Sequence, residues 1–218
     1  MKVTLISPGS RVEAERMVRV AWLSAARCRS YLGIEELREK VEQMGIEVVG
    51  KKIWGAVKTE WAVDILRHTL FTFDWEDVPT WAWTELWRHQ FVVRNVWPEQ
   101  MSQRALNSTK LKVLNEFEGG DKVEFELIIA RVNEFMERMG RSYGRDVVRN
   151  ASFQGTLSSA VLSMNAETIH HLVVMRGSVE LMGGEGGKAA LVLQDAIGQT
   201  WDRAREVCPW LFQEVLKR

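Results

Sequence analysis

Apolar spacing along the chain alternates between two periods, and the switches mark the elements. Residues 2–6, KVTLI, form a short β-type run. From Arg11 to Arg27 the spacing becomes helical, with Val12, Met17, Val20, Ala21 and Leu23 supporting a buried side. A charged helical pattern covers Gly33 to Met44, and EWAVDILRH reads as helix up to His68. TLFTFDWE then alternates and is rich in β-formers, which predicts a strand. Pro79 stands where a helix begins, and Thr80 to His89 continue it. The clearest helical stretch starts at Lys122, KVEFELIIARVNEFMERMG, with Val123, Leu127, Ala130, Arg131, Glu134 and Phe135 defining its faces and Gly140 closing it. QGTLSSAVLSMN is extended in character. Asn165 is placed to cap a helix that runs to Arg176 before Gly177. MGGEGGK is a flexible break, a helix follows from about Ala189 to Val207, and Pro209 forces a new start. The sum is a single α+β domain over residues 1–218, with a mixed or antiparallel sheet and several long helices.

Charge narrows the function classes. Lys plus Arg and Asp plus Glu are both 29, so formal net charge is zero. A protein that grips nucleic acid or an anionic membrane through one broad positive face would not be balanced in this way. No segment reaches the ~18 consecutive apolar residues of a spanning helix, and the first residues, MKVTLISPGSRVEAERM, hold too short an apolar run for a secretory signal. Two cysteines, Cys28 and Cys208, without Cys-x-x-Cys spacing, suit a reduced cytoplasmic setting. Cys28, though flanked by Arg27 and Arg29, is read as packed or inert rather than nucleophilic. His170 and His171 are adjacent and point to different sides of a helix, so they form no joint metal site.

Three features remain as candidate chemistry. GGEGGK fails as a phosphate-cradling loop, because Met182 stands at the position of the first glycine and Ala189 follows Lys188. The run Thr80 to Leu106 crowds Arg88, His89, Arg94, Ser102 and Arg104 behind Trp81, Trp83 and Trp87. It is either a solvated helix end with a loop or one wall of a site for a flat anionic ligand. Asn165 and Arg176 lie eleven residues apart, so ~100° per residue returns them to one helix face, roughly 16 Å apart along the axis. That span suits a ligand with two ends; a solvated arginine at a helix C-terminus explains Arg176 equally well.

Taken together and in order, these segments resemble the flavin-dependent thymidylate synthases. That family carries Arg-His-Arg, a seven-residue gap and Ser-x-Arg. Here Arg88-His89-Gln90 precedes eleven residues and then Ser102-Gln103-Arg104. RHTLFTF, from Arg67, is similar to a Glu-His-x-x-Phe-Thr-Phe segment, and NAETIHHLVVMR, from Asn165, to an Asn-Ala-Arg helix ending in a nucleotide-binding arginine. SAARCRSY and CPWLFQEVLK resemble the family's N-terminal and C-terminal segments, and Arg149 lies where the family places a further arginine.

The resemblance implies a homotetramer that transfers a one-carbon unit from methylenetetrahydrofolate to C5 of dUMP, with FAD as cofactor and NADPH as reductant. It implies Arg176 and Ser102 as catalytic, and Gln100, Ser102, Gln103, Arg104, Arg149 and Arg176 around dUMP. Ser30, Arg88, His89, Gln90, Asn165 and His171 would contact FAD. No nucleic acid or membrane is implied as partner. Gln90, Arg67 and Ala105 depart from the family's arginine, glutamate and tyrosine, and the loop before Ser102 is four residues longer. Those departures open two alternatives: an enzyme making another C5-modified pyrimidine nucleotide, for example by hydroxymethylation, or a nucleotide-binding homologue without catalysis. A plain helical domain with every arginine solvated is the third.

Overall fold

The central strand of the sheet explains most of the core. The computed structural model describes residues 1–58, 62–87, 118–143, 157–178 and 191–216. Strands β1 (Lys2–Ser7), β2 (Phe71–Pro79) and β3 (Leu157–Met164) pair antiparallel in the order β1-β2-β3. Val3 lies opposite Trp75, and Trp75 opposite Ala160. Because side chains alternate across a strand, Phe71, Phe73 and Trp75 are buried on one face of β2 while Thr72, Asp74 and Glu76 are only half-buried. On that second face the Thr72 and Ser163 hydroxyls hydrogen-bond at 3.0 Å. The register shifts between Trp75 and Val78, where Asp77 takes φ +58°, a conformation that aspartate tolerates better than most residues.

Helix α1 (Arg11–Arg27) starts where its capping chemistry says it should. The Ser10 hydroxyl accepts from the Glu13 N–H at 3.3 Å, and the Glu13 carboxylate accepts from the Gly9 N–H at 2.6 Å. Its buried side matches the expected one at Ala21 but otherwise differs: Ala14 and Val18 are buried with Ala21, whereas Val12 and Val20 are exposed. Helices α2 (Ile34–Gln43) and α4 (Asp64–Arg67) fall within the expected spans. Between them stands α3 (Ile46–Lys58), which the sequence pattern did not announce. Two glycines and a run of β-branched residues lower its intrinsic helicity. What holds it is burial of Val49, Ile53, Trp54 and Val57.

Helix α5 (Thr80–Trp87) follows β2 directly, and α6 (Gly119–Tyr143) passes through Gly140 rather than ending there. Within α6, Ile129 and Met136 are buried, while Val123, Leu127 and Ile128 stay exposed. Helix α7 (Ala166–Arg176) leaves the end of β3 and stops at Gly177, and α8 (Leu191–Val207) lies against α7 and β1. The tail then turns at Pro209 without starting another helix. Trp201 and Phe71 each pack edge-on against Phe212, with the His170 ring stacked on Phe212 at 5.3 Å. Cys208 is fully buried there, and desolvation pushes its thiol up to about 12.

Candidate functional site

Helix α7 carries three of the four described candidate residues, Asn165, His171 and Arg176, and both of its ends are clamped. At the N-terminus Asn165 has extended backbone, and its carboxamide oxygen accepts from the Thr168 N–H (2.8 Å) and hydroxyl (3.0 Å). With its oxygen committed, Asn165 keeps Nδ2 as a donor; nothing among the described residues accepts from it. The Ala166 N–H, another end group of the helix, donates to the Thr69 hydroxyl at 3.0 Å, and that hydroxyl donates to the Leu66 carbonyl at 2.6 Å. Thr69 thereby ties the turn after α4 to the first turn of α7.

An ion pair reinforces the same junction. Arg67 Nε and Nη2 donate to the two carboxylate oxygens of Glu167 at 2.5 and 3.3 Å, and Nη1 pairs with Asp64 at 2.8 Å. Glu167, first through its hydrogen bonds and then through its charge, holds the guanidinium still more firmly protonated. In the patterns compared above, glutamate stands at position 67 and arginine at position 167. This chain reverses both, so one departure compensates the other.

The far end of α7 is held differently. Arg176 Nη2 donates to Glu85 Oε2 of α5 at 3.1 Å, with both side chains about a quarter exposed (26% and 30%). Arg176 Nε is buried and has no hydrogen-bond partner among the described residues. Between the ends, Ile169, Leu172 and Val173 point into the core. Asn165 and Arg176 stand at the two ends of one continuous helix, and ~100° per residue sets both on the side that also carries Ile169 and Leu172.

His171 lies elsewhere. Six steps of ~100° turn it about 120° away from Asn165. With Glu167, Val174, Met175, Val63 and Leu216 it lines a pocket of ≈ 150 Å³ on the other side of α7. Its neighbour His170 is buried at 2% exposure and is structural. His170 Nε2 donates to the Leu211 carbonyl (2.9 Å), and Nδ1 accepts from the Leu216 N–H (3.2 Å). Burial lowers its pKa to about 4, against a smaller opposing effect of the Leu211 bond.

Ser30 sits in the turn after α1, where its hydroxyl accepts from the Leu32 N–H at 3.1 Å and its carbonyl from Arg27. Cys28, read as either packed or inert, is exposed. Arg88, His89, Gln90, Gln100, Ser102, Gln103, Arg104, Ala105, Arg149 and the GGEGGK segment lie outside the described residues. Sequence reasoning passed over Glu85, Glu167 and Thr69. The one available signal was the reversed charge at position 167 of the Asn-Ala-Arg pattern. Among the described residues no helix is long and apolar enough to cross a membrane, and no group of His, Cys, Asp and Glu could hold a metal ion.

In fold, the chain is similar to solved flavin-dependent thymidylate synthases. The chain superposes on ThyX of Helicobacter pylori, solved with FAD and dUMP, with TM-score 0.63 and 17% identity over 100% of both chains. It is equally similar to PolB of Streptomyces cacaoi, a UMP/dUMP methylase bound with 5-Br dUMP. There the TM-score is 0.65 at 16% identity, over 97% of this chain and 93% of that one. No protein-family model and no curated protein sequence matches the chain. The likeness is one of fold, in a diverged sequence.

Proposed function

We propose that this chain is a flavin-dependent enzyme that modifies C5 of a pyrimidine nucleotide, in the first place by transferring a one-carbon unit from methylenetetrahydrofolate to dUMP. FAD is its resident cofactor, NADPH its reductant, and a homotetramer its working assembly. One observation carries the reading: α7 presents Asn165 and Arg176 at its opposite ends, and the buried Nε–H of Arg176 lacks an acceptor among the described residues. A buried donor without a partner costs about 1–3 kcal/mol, and a ligand that accepts from it recovers that cost. The fold likeness to proteins solved with pyrimidine nucleotides supports the choice of ligand.

The donor set fits a flavin. The Nδ2–H of Asn165, with no acceptor among the described residues, suits a ring carbonyl or ring nitrogen, and Arg88, His89 and Gln90 would add donors from the segment after α5. Bound in reduced form, the flavin supplies the hydride. The protein's own part is to bind, orient and polarise. Arg176 Nε–H, donating to a pyrimidine carbonyl, would favour an enolate-like form of the ring in which C5 is electron-rich enough to attack, with no cysteine adduct required. Ser102, Arg104 and Arg149 would hold the phosphate and sugar. The buried, neutral Cys208 thiol is unsuited to nucleophilic attack.

Purified protein incubated with FAD should show the visible flavin absorbance after gel filtration. With NADPH, methylenetetrahydrofolate and dUMP it should then release a C5-substituted nucleotide. A protein that stays colourless at saturating FAD rules the redox reading out.

A further inference from the structure

The tail after α8 forms neither helix nor strand, so no ladder of backbone bonds fixes its end. A side chain of α7 takes that part. His170 Nε2 donates to the Leu211 carbonyl at 2.9 Å, and Nδ1 accepts from the Leu216 N–H at 3.2 Å. One imidazole thus spans two tail residues five positions apart, and the two roles require its neutral, Nε2-protonated form. The ring cannot swing away, because Phe212, Trp201 and Trp54 pack around it. A second tie of the tail, Lys58–Glu214 at 2.5 Å, is exposed and screened by solvent.

Leu216 is also a wall of the ≈ 150 Å³ pocket beside α7, facing Val63, Val174 and Met175, with Glu167 and His171 as polar lining. A largely apolar cavity of about this size has room for one six-membered ring. We propose that His170 is a positioning residue: it latches the C-terminal tail to α7 so that Leu216 closes one side of a slot for one ring of FAD. The proposal rests on the flavin reading, which assigns His171 to FAD, and adds the tail to that site. His170 itself touches the tail rather than the cofactor. When both of its bonds are lost, the Leu216 N–H returns to water and the apolar wall moves with it.

Flavin fluorescence titration measures FAD affinity, and amide hydrogen exchange reports the position of the tail. His170→Phe keeps an aromatic ring in the stack but removes both bonds. It should speed exchange at Leu216 by ~10-fold or more, well beyond any change at Val173 in the buried face of α7, and weaken FAD binding by ~3-fold or more. His170→Gln carries a donor and an acceptor on one side chain and should restore part of both losses. Leu216→Ala, which keeps the latch and trims the wall, should weaken FAD binding as well. Exchange at Leu216 that is unchanged in His170→Phe, or accelerated no more than at Val173, overturns the latch. A loosened tail with wild-type FAD affinity overturns its place in the cofactor site and leaves the flavin reading standing. Wild type that binds no FAD overturns the flavin reading itself, whatever the exchange at Leu216.

Discussion

At the scale of single residues, Arg67 and Glu167 act as a unit. Each side chain meets the other through two hydrogen bonds across α4 and α7, although Arg67 is about half exposed. Solvent screening keeps the coupling modest, about 1 kcal/mol. Arg67→Glu should therefore set three carboxylates together and lower the melting temperature, as Glu167→Arg should by placing two guanidinium groups side by side. The double exchange should recover much of the loss, and a thermal double-mutant cycle measures the recovery; strictly additive losses would show that the pair is incidental.

His170 gives a second residue-scale expectation. Its folded pKa of about 4 lies below the unfolded value near 6.5, so between these pH values the unfolded chain binds a proton that the folded chain does not. Its contribution is complete above pH ~6.5 and is lost as pH falls toward about 4, on the order of 3 kcal/mol. Urea denaturation across that range checks it, and His170→Phe should flatten the slope. The cap at Asn165 and the shared face with Arg176 could be read from spacing, because both lie on one helix. The partners Glu85 and Glu167 could not, because their bonds join positions 91 and 100 residues apart.

At the scale of elements, start and stop signals decided what could be read. Asn165, Gly177 and Pro79, read as boundary signals, all sit at element ends, and the strand of alternating aromatics is visible at once. Helix α3 was hidden because tertiary burial overrides its weak propensity. Its Gly50 shows the cause: a Cβ there would lie 2.6 Å from Trp210 Cβ, so glycine permits the tail to close on the helix. Gly50→Ala should gain about 1 kcal/mol in helix propensity yet destabilise the protein by about 1–3 kcal/mol through overpacking. Chemical denaturation would detect this, and a stabilised variant would contradict the close approach.

At the scale of the whole molecule, the α+β class followed from pattern and the sheet is one of the two kinds expected, the antiparallel one, whereas the burial of the long helix was not legible. On α6, Val123 and Leu127 are 58% and 60% exposed and lie four residues apart, on one face. The proposed homotetramer gives that face a partner. Leu127→Glu should shift the sedimentation coefficient toward smaller species while leaving the far-ultraviolet circular dichroism unchanged; an unaltered coefficient would place the subunit contacts elsewhere.

The nucleotide site on α7 is most directly tested by calorimetric titration of dUMP into FAD-loaded wild type and Arg176→Ala. Saturable binding that weakens by roughly 10- to 100-fold in the variant is the predicted result, as expected for losing a charge-assisted donor. Equal affinity in the two proteins would contradict it.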